Sequence, residues 1–274
     1  MSEIITALAT PFVDGKIDVE SFGRLVEHQA NNNIDGLLVG GATGEGMLLS
    51  PCEKKLLVTV AKQIAPSIPI WLNIEGVGTR EAIEQVKWAN KLQVNGLMIS
   101  PPSFCKCTSS GLLEHVKKLV HETTLPLMLY NAPSRVGYVL PLDIVQMLSH
   151  LGVTVKDAGK QLTYAKGLQR FTTVYCGNEC MALDFVSLGV DRCVSVVANA
   201  LPKLVKDVFD TTISLTKKQL AFFKRIARLT MTEVNPIGIK YMLYKLGIFN
   251  SAEPRLPLTP ASEKTKLLID EVLA

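Results

Sequence analysis

No stretch of this 274-residue chain is apolar for long enough to span a bilayer, and its start, MSEIITALATPF, lacks the basic head and apolar centre of a secretory signal. A cytoplasmic protein is expected, with no membrane partner. Charge is sparse as well: 20% of residues are charged, Lys+Arg 29 nearly balances Asp+Glu 25, and the net +4 is spread without a basic block. Nucleic acid is therefore not an expected partner. Six cysteines in so long a chain are too few and too scattered for a disulfide framework. Cys105 with Cys107, and Cys176 with Cys180, miss the C-x2-C spacing of common zinc sites, and His28, His115, His121 and His150 lie far apart. The chain also lacks an H-E-x-x-H, a P-loop and a G-x-G-x-x-G. Reduced thiols, no metal and no cofactor are the expectation.

What is abundant is apolar sequence, 47% of residues, in β-rich runs that alternate with amphipathic helical stretches. Strands are predicted at 4–9, 36–39, 70–73, 96–100, 126–130, 153–156, 173–177 and 193–197. Helix signals fall between them. Ser50, Pro51 and Glu53 form a capping box with proline in the first turn, ahead of Leu57, Val60, Ala61 and Ile64 at helical spacing. Thr79 is read as the cap of a helix that buries Ala82, Val86 and Ala89. Strands alternating with helices imply a parallel sheet, and eight of them favour an α/β fold of the closed (β/α)8 TIM-barrel type. The barrel is assigned to residues 1–200 and a C-terminal helical extension to 201–274, with no low-complexity linker between them.

One strand ends on an unusual residue. In VTVK, residues 153–156, alternation sends Val153 and Val155 outward and Thr154 and Lys156 into the barrel, with Lys156 at the carboxyl end. Barrel active sites are built at that end, where a partly desolvated lysine presents an amine able to attack carbonyls. The competing reading is a snorkelling lysine or one paired with Asp157. On the preceding strand the same alternation turns Met128 and Tyr130 inward, so a phenol suited to proton transfer shares the rim. Arg135, in the loop after it, offers a guanidinium matched to a carboxylate, unless it is only a solvated loop residue. The run VGGATGEG, residues 39–46, supplies glycines, backbone N–H groups and the Thr43 hydroxyl, a cradle the size of a carboxylate.

Together these residues resemble the dihydrodipicolinate synthase and acetylneuraminate lyase family of class I, pyruvate-dependent aldolases. The resemblance runs through ALATPF at 7–12, GATGE at 41–45, YNAPSRVG at 130–137, CGNECMALDFVSLG at 176–189, VSVVAN at 194–199, NPIGIK at 235–240 and RLPLTP at 255–260. It implies that Lys156 forms a Schiff base with pyruvate and that Tyr130 relays protons. Thr43 and N–H groups around Ala42 would hold the pyruvate carboxylate, and Gly177 and the Val194 backbone would line the pocket. Arg135 in PSR is similar to the synthase branch, where it binds the carboxylate of aspartate semialdehyde. The family further implies a homodimer or homotetramer.

The chain departs from the synthase pattern in two places. Ala42 stands where a first threonine usually links the catalytic tyrosine to a second tyrosine from a neighbouring subunit. The segment that should carry that second tyrosine reads SPPSFCKCTSSG, with Ser103 and Phe104 near its place. Three readings follow: 4-hydroxy-tetrahydrodipicolinate synthase; an aldolase of the same chemistry acting on a sugar-acid aldehyde; and a non-catalytic keto-acid-binding homologue. Where the lysine-inhibited synthases bind their effector, this chain has Gly46, Met47, Pro51, Lys54, Val77 and Glu81, which predicts insensitivity to lysine.

Overall fold

The computed structural model describes residues 2–76, 78–103 and 105–273, so Val77 and Phe104 lie outside the described residues. Every predicted barrel strand is present. They are β1 (Glu3–Ala7), β4 (Gly36–Val39), β5 (Ile70–Glu75), β6 (Gly96–Ser100), β7 (Leu127–Asn131), β8 (Thr154–Asp157), β9 (Val174–Cys176) and β10 (Arg192–Ser195). They close a barrel in the order β1-β10-β9-β8-β7-β6-β5-β4. β4 (GLLV) and β7 (LMLYN) are buried at every position, as expected of strands covered on both faces.

A pair absent from the sequence reading, β2 (Phe12–Val13) and β3 (Lys16–Ile17), forms an antiparallel hairpin after β1. Its turn is Asp14-Gly15, both with positive φ (49° and 70°), the backbone of a type I′ connection.

Contacts divide the chain into two compact units, residues 1–70 with 195–274, and residues 71–194. In the first unit β1 runs parallel to β4, with Ile5 opposite Gly36 and Ala7 opposite Leu38. The capping box holds as read: Glu53 N donates to the Ser50 hydroxyl and Ser50 N donates to the Glu53 carboxylate, opening the helix Pro51–Ile64. That helix buries Leu57, Val58 and Ala61. After Ala200 the chain is helical at Pro202–Phe209, Lys217–Leu229, Ile237–Lys245 and Glu263–Leu273.

In the second unit β5 to β10 pair in sequence, all parallel. The helix Thr79–Lys91 buries Ala82, Val86 and Ala89, but its cap is Gly78 rather than Thr79. The Thr79 hydroxyl is instead hydrogen-bonded to His115 Nδ1 at 2.9 Å, and burial holds that imidazole below its ordinary pKa. His115 is thus a satisfied buried residue. Among the described residues no helix is long and apolar enough to cross a membrane.

Candidate active site

Lys156 and Tyr130 are direct register partners on β8 and β7, so their side chains stand on one face of the sheet. Both are buried, Lys156 to 5% exposure, and the lysine Nζ lies 4.5 Å from the centre of the Tyr130 ring. The Asp157 carboxylate is turned away from this amine. It accepts from Asn131 Nδ2 at 2.7 Å and from Gly159 N at 2.9 Å. The ion-pair reading of Lys156 therefore falls. Among the described residues no carboxylate forms a salt bridge with this amine, an arrangement chemically suited to a nucleophile.

Gly177, at the end of β9, makes space for this lysine. A Cβ there would sit 2.9 Å from both Cγ and Cε of Lys156, so only glycine leaves the stem its path. Val194 is buried on β10 directly after Cys193, the register partner of Cys176, which places it beside Gly177. Lys156, Tyr130, Gly177 and Val194 thus form one cluster at the carboxyl ends of neighbouring strands. Near it, Cys193 is buried beside Cys176, and desolvation pushes its thiol well above the ordinary range. Such a thiol is chemically inert.

The loop that carries Arg135 is pinned at both ends. Pro133 opens a short helix, Pro133–Val136, that ends at Gly137 with φ 81°, and Arg135 projects from it exposed. Asn131 spans the base of the loop: its Nδ2 holds Asp157 and its Oδ1 accepts from Leu140 N at 3.1 Å. Tyr164 adds a bond from its hydroxyl to the Leu140 carbonyl at 2.6 Å. Burial raises the Asp157 pKa, and its Oδ2 has no hydrogen-bond partner among the described residues. On the outer side Tyr138 is hydrogen-bonded to Cys107 Sγ and donates to the Pro102 carbonyl, both at 3.3 Å. The segment expected to carry a second tyrosine is thereby tied to the Arg135 loop. Phe104 within it lies outside the described residues.

Ala42 and Thr43 belong to the first unit, in the turn Ala42–Gly44 that follows β4. Thr43 is buried, and its hydroxyl accepts a hydrogen bond from Asn235 Nδ2 at 3.0 Å. The turn is held against the chain after β1: the Thr10 hydroxyl donates to the Gly44 carbonyl at 2.7 Å, and a Cβ on Gly44 would stand 2.8 Å from the Leu8 carbonyl oxygen. Next comes Glu45, in left-handed backbone (φ 53°) and fully buried. Lys240 Nζ meets its Oε1 at 2.6 Å, and Arg255 N donates to its Oε2 at 2.8 Å. Phe12 receives both cations, Lys240 and Arg255 each 4.3 Å from its ring centre. Desolvation outweighs the attraction of Glu45 and brings the Lys240 pKa down to about 8.

The sequence alone points to the lysine cluster and the turn but, Asp157 apart, not to the residues that frame them. Asn131, Asp157, Asn235, Glu45, Lys240 and Arg255 all lie in or beside the quoted runs YNAPSRVG, VTVK, NPIGIK, GATGE and RLPLTP. Nothing in those strings alone pairs Lys240 with Glu45, which are 195 positions apart.

Comparison with known proteins shows the family and the fold. The model of the dihydrodipicolinate synthetase family matches residues 1–274. A 4-hydroxy-tetrahydrodipicolinate synthase of Rickettsia bellii is 35% identical, the match covering 98% of this chain and 95% of that protein. The solved 4-hydroxy-tetrahydrodipicolinate synthase of Methylacidiphilum fumariolicum SolV superposes with a TM-score of 0.92 at 30% identity, covering 100% of this chain and 95% of that one. The chloride-inhibited dihydrodipicolinate synthase of Acinetobacter baumannii, solved with pyruvate, gives a TM-score of 0.91 at 31% identity and covers 99% of this chain and 97% of that one. A strand-end lysine with a tyrosine beside it, set in a closed parallel barrel and matched over its whole length, places the chain in the dihydrodipicolinate synthetase family.

Proposed function

We propose that the protein is a cytoplasmic 4-hydroxy-tetrahydrodipicolinate synthase that joins pyruvate to L-aspartate 4-semialdehyde through an imine on Lys156. The observation that carries this reading is the Lys156 amine itself, buried, with no carboxylate among the described residues in salt-bridge reach and 4.5 Å from the Tyr130 ring. The amine adds to the keto carbon of pyruvate and water leaves, giving an imine. Loss of a methyl proton converts the imine to an enamine, whose terminal carbon bonds to the aldehyde carbon of the second substrate. Tyr130 carries the protons in these steps. Cyclisation, with the substrate amine displacing the lysine, returns Lys156 to its starting state.

In this reading Thr43 and the N–H groups of the turn at Ala42 hold the pyruvate carboxylate, while Gly177 and the Val194 backbone bound the reacting carbons. Arg135 takes the carboxylate of the semialdehyde by a charge-assisted bond. Because the residue at 42 is alanine, Thr43 is the only hydroxyl in the stretch 40–46, and a water takes the place of the missing relay member beside Tyr130. The same alanine supports a second reading, a pyruvate aldolase acting on a sugar-acid aldehyde. The enzyme works as a homodimer or homotetramer, which sedimentation analysis tests.

Borohydride with pyruvate is expected to add a covalent mass at Lys156, and aspartate semialdehyde to turn over faster than any sugar-derived aldehyde in a screen. Arg135→Ala is expected to raise the KM for the semialdehyde far more than that for pyruvate. Equal effects on both substrates, or turnover confined to sugar-derived aldehydes, would give the second reading its place.

A further inference from the structure

A threonine hydroxyl has one proton to donate and two lone pairs to offer. What Thr43 does with its proton is not set by the turn alone, because a hydroxyl in a turn can rotate to bond its own backbone. The rest of the turn has little freedom: Gly44 is pressed against the Leu8 carbonyl, its own carbonyl is taken by Thr10, and Glu45 is locked by Lys240 and the Arg255 N–H. The torsion of the Thr43 hydroxyl is what remains.

Asn235 acts on that torsion. Its Nδ2, a donor and never an acceptor, lies 3.0 Å from Thr43 Oγ1, and both side chains are buried. The hydroxyl is thereby made the acceptor in this bond, and its single proton is left for a different partner. We propose that Asn235 is a positioning residue for the keto acid: it fixes the Thr43 hydroxyl as a donor to the substrate carboxylate, and so sets pyruvate affinity without touching the substrate. The inference rests on the reading above that Thr43 meets that carboxylate. With alanine at position 42, no second hydroxyl of the turn shares the task.

The test is a comparison of how imine trapping by borohydride saturates with pyruvate. The proteins compared are the wild type, Thr43→Val, Asn235→Asp, Asn235→Ala and the two double variants. Asn235→Asp keeps the shape but, once ionised, offers an acceptor that draws the Thr43 proton away from the substrate. Its half-saturating pyruvate concentration is expected to rise on the order of tenfold to a hundredfold, the range of one hydrogen bond to a charged group. Asn235→Ala only frees the hydroxyl and is expected to show a smaller rise. In both, kcat at saturating pyruvate stays near the wild-type value. In the Thr43→Val background neither Asn235 substitution is expected to raise the concentration further, because there is no hydroxyl left to orient.

A merely structural Asn235 would give the same increment with or without the Thr43 hydroxyl, and that result overturns the proposal. So does a Thr43→Val variant with weakened pyruvate saturation beside Asn235 variants that saturate normally. If Thr43→Val itself saturates like wild type, the carboxylate reading of Thr43 fails first and takes this one with it, a pattern distinct from the other two. Should Asn235→Asp fail to fold, as a melting curve would reveal, Asn235→Ala with its double variant still decides.

Discussion

Lys156 and Lys240 are both buried lysines, one in each compact unit, and they have opposite surroundings. Lys240 is fully buried, with its Nζ 2.6 Å from the Glu45 carboxylate and 4.3 Å from the Phe12 ring centre. Lys156 is 5% exposed and has an aromatic ring and a glycine for neighbours, with no carboxylate among the described residues in salt-bridge reach. Burying an ammonium costs several kcal/mol unless a counter-charge offsets it. Where the fold supplies that counter-charge, the lysine is a structural tie. Where the fold withholds it, the amine is left unpaired by any described carboxylate, and the proposed function gives it covalent chemistry to do.

The sharpest way to break this contrast is chemical trapping, an all-or-none effect. Pyruvate and borohydride are expected to modify Lys156 and leave Lys240 unlabelled in the folded protein, as read by peptide mass mapping. Label at Lys240 in protein with an intact melting curve would mean that its pairing with Glu45 does not protect it. Lys156→Met is expected to abolish trapping and turnover while leaving the melting temperature unchanged or higher, since no carboxylate is orphaned by its loss.

The same substitution at the other lysine is expected to act in reverse. Lys240→Met leaves the Glu45 carboxylate buried with only the Arg255 N–H among the partners described above, a loss of about 3–5 kcal/mol. In thermal melting that corresponds to a drop on the order of 10 °C. Lys240→Met combined with Glu45→Leu is expected to recover most of it, because removal of both charges leaves no uncompensated ion. A double variant as unstable as the single one would show that shape rather than charge ties these segments together.

A third test separates position from chemistry at Lys156. Gly177→Ala puts a methyl 2.9 Å from Cγ and Cε of the lysine and 3.1 Å from the Asp157 carbonyl oxygen, so the stem has to move. A shift approaching an ångström in a reacting group costs on the order of a hundredfold in rate. Steady-state kinetics are expected to show that loss in kcat while the melting temperature changes little, and unchanged kcat would mean that the lysine stem has free space elsewhere.

These contrasts were only partly legible in the residue order. The eight barrel strands announced themselves as short apolar runs, and alternation along VTVK and LMLY was enough to aim Lys156 and Tyr130 at the same rim, because strand periodicity is local. The hairpin at Asp14-Gly15 carried a local signal too, the DG turn, which two-residue strands were too short to support. Thr79 looked like a cap because threonine is a common one, but Gly78 took the position and the hydroxyl went to His115. The partners of Glu45 and Thr43 were beyond reach for a different reason. Each bond joins residues more than 190 positions apart, which only the folded topology brings together.

The smallest expected effect lies at the rim of the Lys240 network, where Arg255 couples a buried pair to a partly solvated one. Its backbone N–H serves Glu45, while its guanidinium stacks on Phe12 and bonds both oxygens of Glu53. Led by the Arg255 bond, the Glu53 carboxyl is held at about 2 rather than 4.5. Between those two values the unfolded chain binds a proton at Glu53 that the folded chain refuses, so stability rises with pH across this window. The contribution is fully present above about pH 4.5 and is lost as pH falls toward 2. The Glu53 side chain keeps 25% exposure, and solvent screening limits the effect to about 1 kcal/mol. Melting temperatures taken from pH 6 down to the acid limit of refolding, roughly the window of carboxylate titration, are expected to fall less steeply in Arg255→Met than in wild type. Parallel slopes would mean that acid acts on carboxylates elsewhere and that Arg255 holds the Glu45 segment through its backbone N–H alone.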